Sequence, residues 1–327
     1  MAQLHEKTFK LNNGSEIPAI GLGTFLGGPG AADEAQAVDA IRHALDSGYR
    51  LLDTAHIYGT EALVGAAIRA SAVPRSRITV VTKLWVTQHA DPAAALEASL
   101  SALGLDYVDL FLMHWPCSQT PHGEPLLPGS SPTFSETWRL MEGLVGERCR
   151  GIGVSNFSQV TLGRLLDGGV GVVPAVNQVE LHALNPNLEL VPYCRSKGIH
   201  VMSWRTIAGL GQGDNPVLTH PLFTQMAASY NCSPASLSLS WAVRRGVSVI
   251  PRSTNKARIE QNLRLVDLSD EDVETINGAH RVPGVGRLRI ADHIPDLRTE
   301  VAGGRRAIMH WTSVDLGWED EEGNWLV

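Results

Sequence analysis

The chain has 327 residues, 43% hydrophobic and 19% charged, with a formal net charge of -7. That composition describes a water-soluble globular protein with a large core, and the acidic balance leaves no broad basic face for nucleic acid. Met1 to Lys7 lack the apolar run of a signal peptide, and no stretch is apolar for the length of a membrane span.

Thr8–Leu11, Asn12–Ser15 and Glu16–Pro18 predict a short hairpin around an Asn-Gly turn. Ala19–Thr24 then reads as a first buried strand, and Asp33–Ser47 carries Val38, Ile41 and Leu45 at helical spacing before Gly48. From here strand and helix alternate. Arg50–Asp53 precedes a helix over about Glu61–Ser71. Ile78–Thr82 precedes Asp91–Leu103, where Asp91 suits the N-cap and Pro92 the first helical position. Val108–Met113 precedes a long Pro-, Ser- and Gly-rich loop and a helix near Ser135–Leu144. Arg150–Val154 leads to Ser158–Leu166, and Pro174–Gln178 to Leu188–Ser196. Ile199–Ser203 is followed by a glycine-rich loop and helices near Pro221–Ser229 and Pro234–Arg244. Val247–Ile250 closes the series, with helices after it from Asn255 and Asp270.

Eight such units favour a closed parallel barrel over an open sheet. The expected fold is therefore α/β: a single (β/α)8 barrel spanning 1–327, with an N-terminal hairpin and a long C-terminal segment over the functional face. That segment, about 282–327, shows little periodicity but contains Trp311, Trp318 and Trp325, which favour docking against the body. Cys117, Cys149, Cys194 and Cys232 lie far apart without metal spacing, as expected for reduced thiols in a cytoplasmic protein with no bound metal.

In a barrel of this kind the C-terminal strand ends carry the chemistry. Three successive ends deliver Asp53, Lys83 and His114, and Tyr58 follows Asp53 by five positions. Taken singly each has an ordinary reading: Asp53 as a loop cap, Lys83 as a rim charge, His114 as a satisfied core histidine. Together they read as a catalytic set. A tyrosine titrates near 10, so ionising near neutrality needs a downward shift of roughly two to three units, about 3–4 kcal/mol. One ammonium about 4 Å away supplies about 4 kcal/mol at an effective dielectric near 20. Lys83 is thus expected to lower the phenol, with Asp53 holding the lysine charged, so that Tyr58 gives a proton to a developing alkoxide. His114 is expected to bind the carbonyl oxygen.

Reduction also requires a hydride source, and Gly21–Leu26 and Gly209–Asp214 both fail the dinucleotide fingerprint at the last position. The run Ile250–Arg258 offers Arg252 and Arg258 as forks for phosphate at the start of a helix, against an equal reading as a solvated basic turn.

These residues resemble the aldo-keto reductase family. DTAHIYGTE (Asp53–Glu61), KLW (Lys83–Trp85), HWP (His114–Pro116), GVSNF (Gly153–Phe157), NQVE (Asn177–Glu180) and IPRSTNKARIEQN (Ile250–Asn262) fall in the family's order over roughly Lys7–Arg281. The resemblance implies a carbonyl reductase for aldehydes, with sugars and small ketones as further candidates. It uses NADPH/NADP+, with NADH the poorer fit, and is a monomer or homodimer. It implies Tyr58 as general acid tuned by Asp53 and Lys83, with His114 orienting the carbonyl. Ser155, Asn156 and Gln178 would hold the nicotinamide amide and Trp204 would stack on its ring. Thr24, Ile207, Gly209 and Gly211 would line the cofactor path, with Arg252, Ser253 and Arg258 on the 2′-phosphate and Asn262 on the adenine. Phe25, Trp85 and Trp115 would line the substrate pocket under the tail from about Ile290. Trp204 followed by Arg205-Thr206 departs from the family's usual tyrosine and Ser-Pro. Two other readings are a Schiff-base aldolase using Lys83 and a non-enzymatic, cofactor-binding regulatory subunit like the potassium-channel β subunits.

Overall fold

The computed structural model describes residues 4–26, 33–209, 215–295, 297–301 and 305–326. β1 (Thr8–Lys10) and β2 (Glu16–Pro18) form the antiparallel hairpin, turned at Gly14 with φ 86°. The barrel strands are β3 (Leu22–Gly23), β4 (Leu51–Asp53), β5 (Thr79–Leu84), β6 (Leu110–Met113), β7 (Ile152–Ser155), β8 (Val176–Glu180), β9 (His200–Trp204) and β10 (Ser248–Val249). They pair in parallel in sequence order, from β3 to β10. The ends of the series meet: Gly21 N donates to Val249 O at 2.8 Å and Gly23 N to Pro251 O at 3.1 Å, so the sheet closes on itself. A Cβ on Gly23 would stand 2.8 Å from Ile250 O. The glycine pair that looks like a nucleotide loop thus serves close approach at the barrel seam.

Helices pack outside. α1 (Glu34–Ser47), α2 (Glu61–Ala70), α3 (Pro92–Leu103), α4 (Phe134–Glu142), α5 (Gln159–Asp167) and α6 (Leu190–Ser196) follow their strands in turn. Their starts are chemically marked. Asp33, Asp91 and Ser158 accept from backbone N–H groups of the first turn, and Thr133 with Glu136 forms a reciprocal capping box. Each cap contributes about 1 kcal/mol. After β9 come α7 (Pro216–Thr219), which the apolar spacing does not announce, α8 (Pro221–Ser229) and α9 (Pro234–Arg244); after β10 come α10 (Lys256–Asn262) and α11 (Asp270–Asn277).

The larger apolar core lies between sheet and helices, and a second fills the barrel interior with Leu51, Val81, Leu112, Val176, Met202 and Ile250. Leu11 and Ile17 of the hairpin extend this interior core. Asn12 Nδ2 donates to Pro174 O at 3.0 Å, so the hairpin stoppers the N-terminal end of the barrel. All chemistry is thereby left to the other end.

The C-terminal segment is more ordered than its sequence suggests. β11 (Arg298–Val301), β12 (Arg305–Ile308) and β13 (Trp311–Thr312) form an antiparallel meander. Trp311 and Trp318 are buried and Trp325 half-buried. The expected docking occurs, but through a small sheet rather than an irregular loop.

Candidate active site

Side chains alternate along a strand, so the residue two past each interior core residue points into the barrel one layer nearer the C-terminal rim. Leu51, Val81, Leu112, Val176, Met202 and Ile250 form the core layer. Two positions on stand Asp53, Lys83, His114, Gln178, Trp204 and Arg252. One periodicity, applied to six strands, gathers acid, base, amide, indole and guanidinium in a single layer.

At its centre Lys83 Nζ donates to Asp53 Oδ1 and to Thr54 O, both at 2.7 Å, and Gln178 Nε2 donates to Asp53 Oδ2 at 2.6 Å. Lys83 is fully buried and Asp53 2% exposed. Burial raises the Asp53 pKa and lowers that of Lys83, each opposed by the other's charge. At this separation, with the carboxylate also bonded to Gln178, mutual attraction holds the pair ionised. Glu61, 4% exposed and accepting from Thr82 Oγ1 at 2.6 Å, adds a second negative charge favouring the ammonium.

Tyr58 lies above this pair, with Lys83 Nζ 4.9 Å from the centre of its ring. Its ring meets His114 edge-on at 5.6 Å, and Trp85 meets His114 from another side at 5.2 Å. Although Tyr58 is only half-buried by surface, its surroundings are dense. Burial, then the charge of Asp53, pushes the phenol well above its usual 10. This corrects the expectation that Lys83 lowers it. The ammonium is bound to a carboxylate at 2.7 Å, so the phenol faces an ion pair rather than a lone cation, and desolvation wins. Burial and the Lys83 charge hold His114 well below its usual 6.5, so its imidazole is neutral. Its Nδ1 is buried without a partner among the described residues.

The expected nicotinamide residues form one network. Asn156, at φ 64°, donates from Nδ2 to His114 O at 2.9 Å and accepts from Trp204 Nε1 at 3.0 Å. Ser155 Oγ donates to Gln178 O at 2.7 Å. Thr24 Oγ1 donates to Asp53 O at 2.9 Å. Ile207 and Gly209 lie half-buried on the turn after β9, while Gly211 falls outside the described residues. Arg252 bonds Phe25 O at 3.1 Å, Ser253 caps Asn255 N, Arg258 is exposed, and Asn262 is buried at the end of α10. Among the described residues Arg205, Arg252 and Arg258 have no carboxylate partner. Arg205 directly follows the half-buried Trp204, and a guanidinium without an ion pair next to an indole suits a ligand that joins phosphates to a flat ring.

Of the expected substrate-pocket residues, Phe25 meets Tyr58 at 5.1 Å and Trp85 meets His114. Trp115 is buried and backed by Trp318 of the tail at 6.1 Å. Sequence reasoning missed the tail's anchor. Glu180, ending β8, accepts from Ile290 N at 2.5 Å and Ala291 N at 2.8 Å, with His182 Nε2 2.9 Å away. Arg289 bonds Glu319 at 2.5 Å, and Trp318 and Trp325 lie 4.8 and 4.3 Å from it. A buried glutamate closing the NQVE run was the one signal available.

Residues 19–281 match the Aldo/keto reductase family. The chain belongs to that family. It is 43% identical over 308 residues to glycerol 2-dehydrogenase (NADP(+)) of Saccharomyces cerevisiae, covering 88% of this chain and 96% of the relative. It is 40% identical to D-galacturonate reductase of Hypocrea jecorina, covering 83% and 89%. A crystal structure of a Bombyx mori aldo-keto reductase in complex with NADP superposes with a TM-score of 0.75 at 34% identity, covering 84% of this chain and 92% of that one. These aldo/keto reductase relatives carry enzyme names, which gives the regulatory-subunit reading no support. The Schiff-base reading fails on geometry, since Lys83 is fully buried and tied to Asp53 and Thr54.

Proposed function

We propose that this aldo/keto reductase reduces aldehydes, small ketones and sugars to alcohols, with Tyr58 as proton donor and His114 as the group that orients the carbonyl. NADP(H), when bound, supplies the hydride. The observation that carries the reading is the ring of Tyr58 resting over a buried Lys83–Asp53 pair and against a neutral His114.

Because burial raises its pKa, Tyr58 holds its proton throughout the working range and is a donor by default. When the carbonyl oxygen gains negative charge, the phenol proton passes to it and leaves a phenolate. The Lys83 ammonium beneath the ring is the charge that stabilises that phenolate. His114, uncharged, contributes a hydrogen bond without competing for the proton. Gln178 and Thr54 keep Asp53 and Lys83 in place, and Trp204, fixed by Asn156, offers its face to the nicotinamide. Ser155 and Asn156 bind its amide, and Arg252, Ser253 and Arg258 take the 2′-phosphate that distinguishes NADPH from NADH. Phe25 and Trp85 wall the substrate side. The four cysteines are all free, which fits a reducing compartment such as the cytoplasm.

The test is an absorbance screen of NADPH consumption over aldoses, aliphatic and aromatic aldehydes, and ketones. Turnover on at least one class is expected; no oxidation above the carbonyl-free rate across the whole panel would reject the proposal.

A further inference from the structure

Arg205 follows Trp204 at the end of β9 with φ 58°, and Ala208 stands at 57°. Non-glycine residues persist in this region only where their surroundings over-determine them. Here the turn is fastened from three sides. Ser203 Oγ donates to Leu181 O at 2.7 Å, Ser238 Oγ to Thr206 O at 2.6 Å, and Asn215 Nδ2 to Ile207 O at 3.0 Å. Locked this way, the backbone aims the half-buried Arg205 side chain back across the turn, where Nη1 donates to Gly209 O at 2.9 Å.

The remaining guanidinium N–H groups of Arg205 have no acceptor among the described residues. Burial and then the Arg252 guanidinium press Arg205 below the usual arginine range, and the charge of Glu180 opposes them only in part. Arg252 is fixed in turn, through Phe25 O at 3.1 Å and its bridge to Gly23 at the barrel seam. Two anchored guanidiniums that repel one another, neither of them in an ion pair among the described residues, raise the energy of the empty protein. An anion entering the gap relieves that repulsion and accepts from planar forks on both sides.

We infer that Arg205 is a binding residue for the diphosphate of NADP(H), gripping the stretch of cofactor between the nicotinamide at Trp204 and the 2′-phosphate at Arg252. The inference rests on the proposed function and adds a contact that the family motifs do not carry. Because the same guanidinium holds Gly209 O, the grip also fixes the turn from Arg205 to Gly209 over the nucleotide. The diphosphate is common to NADPH and NADH, so Arg205 acts on both alike, whereas Arg252 discriminates.

Equilibrium binding of NADPH and NADH to the full chain, followed by tryptophan fluorescence without carbonyl substrate, separates these roles. Arg205→Gln should raise both dissociation constants by the same factor, roughly ten- to hundredfold, the range for a hydrogen-bonded charge. Arg205→Lys should recover part of the loss, and Arg252→Ala should weaken NADPH far more than NADH. Inorganic pyrophosphate should compete with NADPH on the wild-type chain, which tests the site even if Arg205→Gln does not fold. Unchanged constants for both nucleotides in a folded Arg205→Gln, a loss confined to NADPH, or no competition by pyrophosphate would each overturn the inference. A wild-type chain that binds neither nucleotide would instead overturn the proposed function on which it rests.

Discussion

Lys83 gives two of its three N–H groups to Asp53 and Thr54, and its charge lies under the Tyr58 ring. Removing the ammonium strands a buried carboxylate, a loss of about 3–5 kcal/mol in stability. Lys83→Met should therefore lower the urea midpoint measurably and reduce turnover at least a hundredfold while NADPH still binds. Unimpaired turnover would mean the phenolate needs no cation. At this scale the site was largely legible. Asp53, Lys83 and His114 end apolar runs, and a polar residue there has few structural reasons to exist. The direction of the Tyr58 shift was not legible, because it depends on how tightly Lys83 and Asp53 pair in space. Gln178 was legible only as a cofactor residue, since its bond to Asp53 crosses 125 positions of sequence.

Among the elements, the strands and helices of the barrel announced themselves by period and caps, and α8 and α9 run over the expected residues. The tail did not. β11 and β12 are short and charged, and their pairing is set by burial of Ile308 and Trp311 against the body rather than by local pattern. Its grip on the barrel runs through Glu180, Arg289 and Trp318, and Trp318 backs Trp115. Trp318→Ala should cost about 3–5 kcal/mol of stability. By loosening Trp115 it should also change KM for bulky carbonyls more than for small ones, leaving NADPH affinity alone. Kinetics with a matched pair of small and bulky aldehydes check this; a uniform change across both would separate the tail from the substrate pocket.

For the whole molecule, closure at the β3–β10 seam and the hairpin stopper confine the chemistry to one face. The cost of so large a dry interior appears at low pH. His89 is fully buried with neither ring nitrogen bonded among the described residues, and burial holds its pKa down at about 3; His200 is held at about 4. The native protein refuses these protons while the unfolded chain accepts them below about 6.5. Stability present above pH 6.5 is thus lost as pH falls toward 4, by about 3 kcal/mol for each histidine at pH 4. Urea unfolding at pH 7, 5 and 4 should show this decline, and His89→Leu should flatten it. An equal slope in the variant would assign the acid sensitivity elsewhere.

The central claim is that the Tyr58 hydroxyl delivers the proton that completes carbonyl reduction. Single-turnover oxidation of NADPH by Tyr58→Phe, with cofactor affinity measured on the same sample, tests it most directly. The account predicts a loss of at least a thousandfold in the reduction rate with the NADPH dissociation constant unchanged within about threefold, as expected for removal of a positioned acid. A rate within tenfold of the wild type, at unchanged affinity, would contradict it.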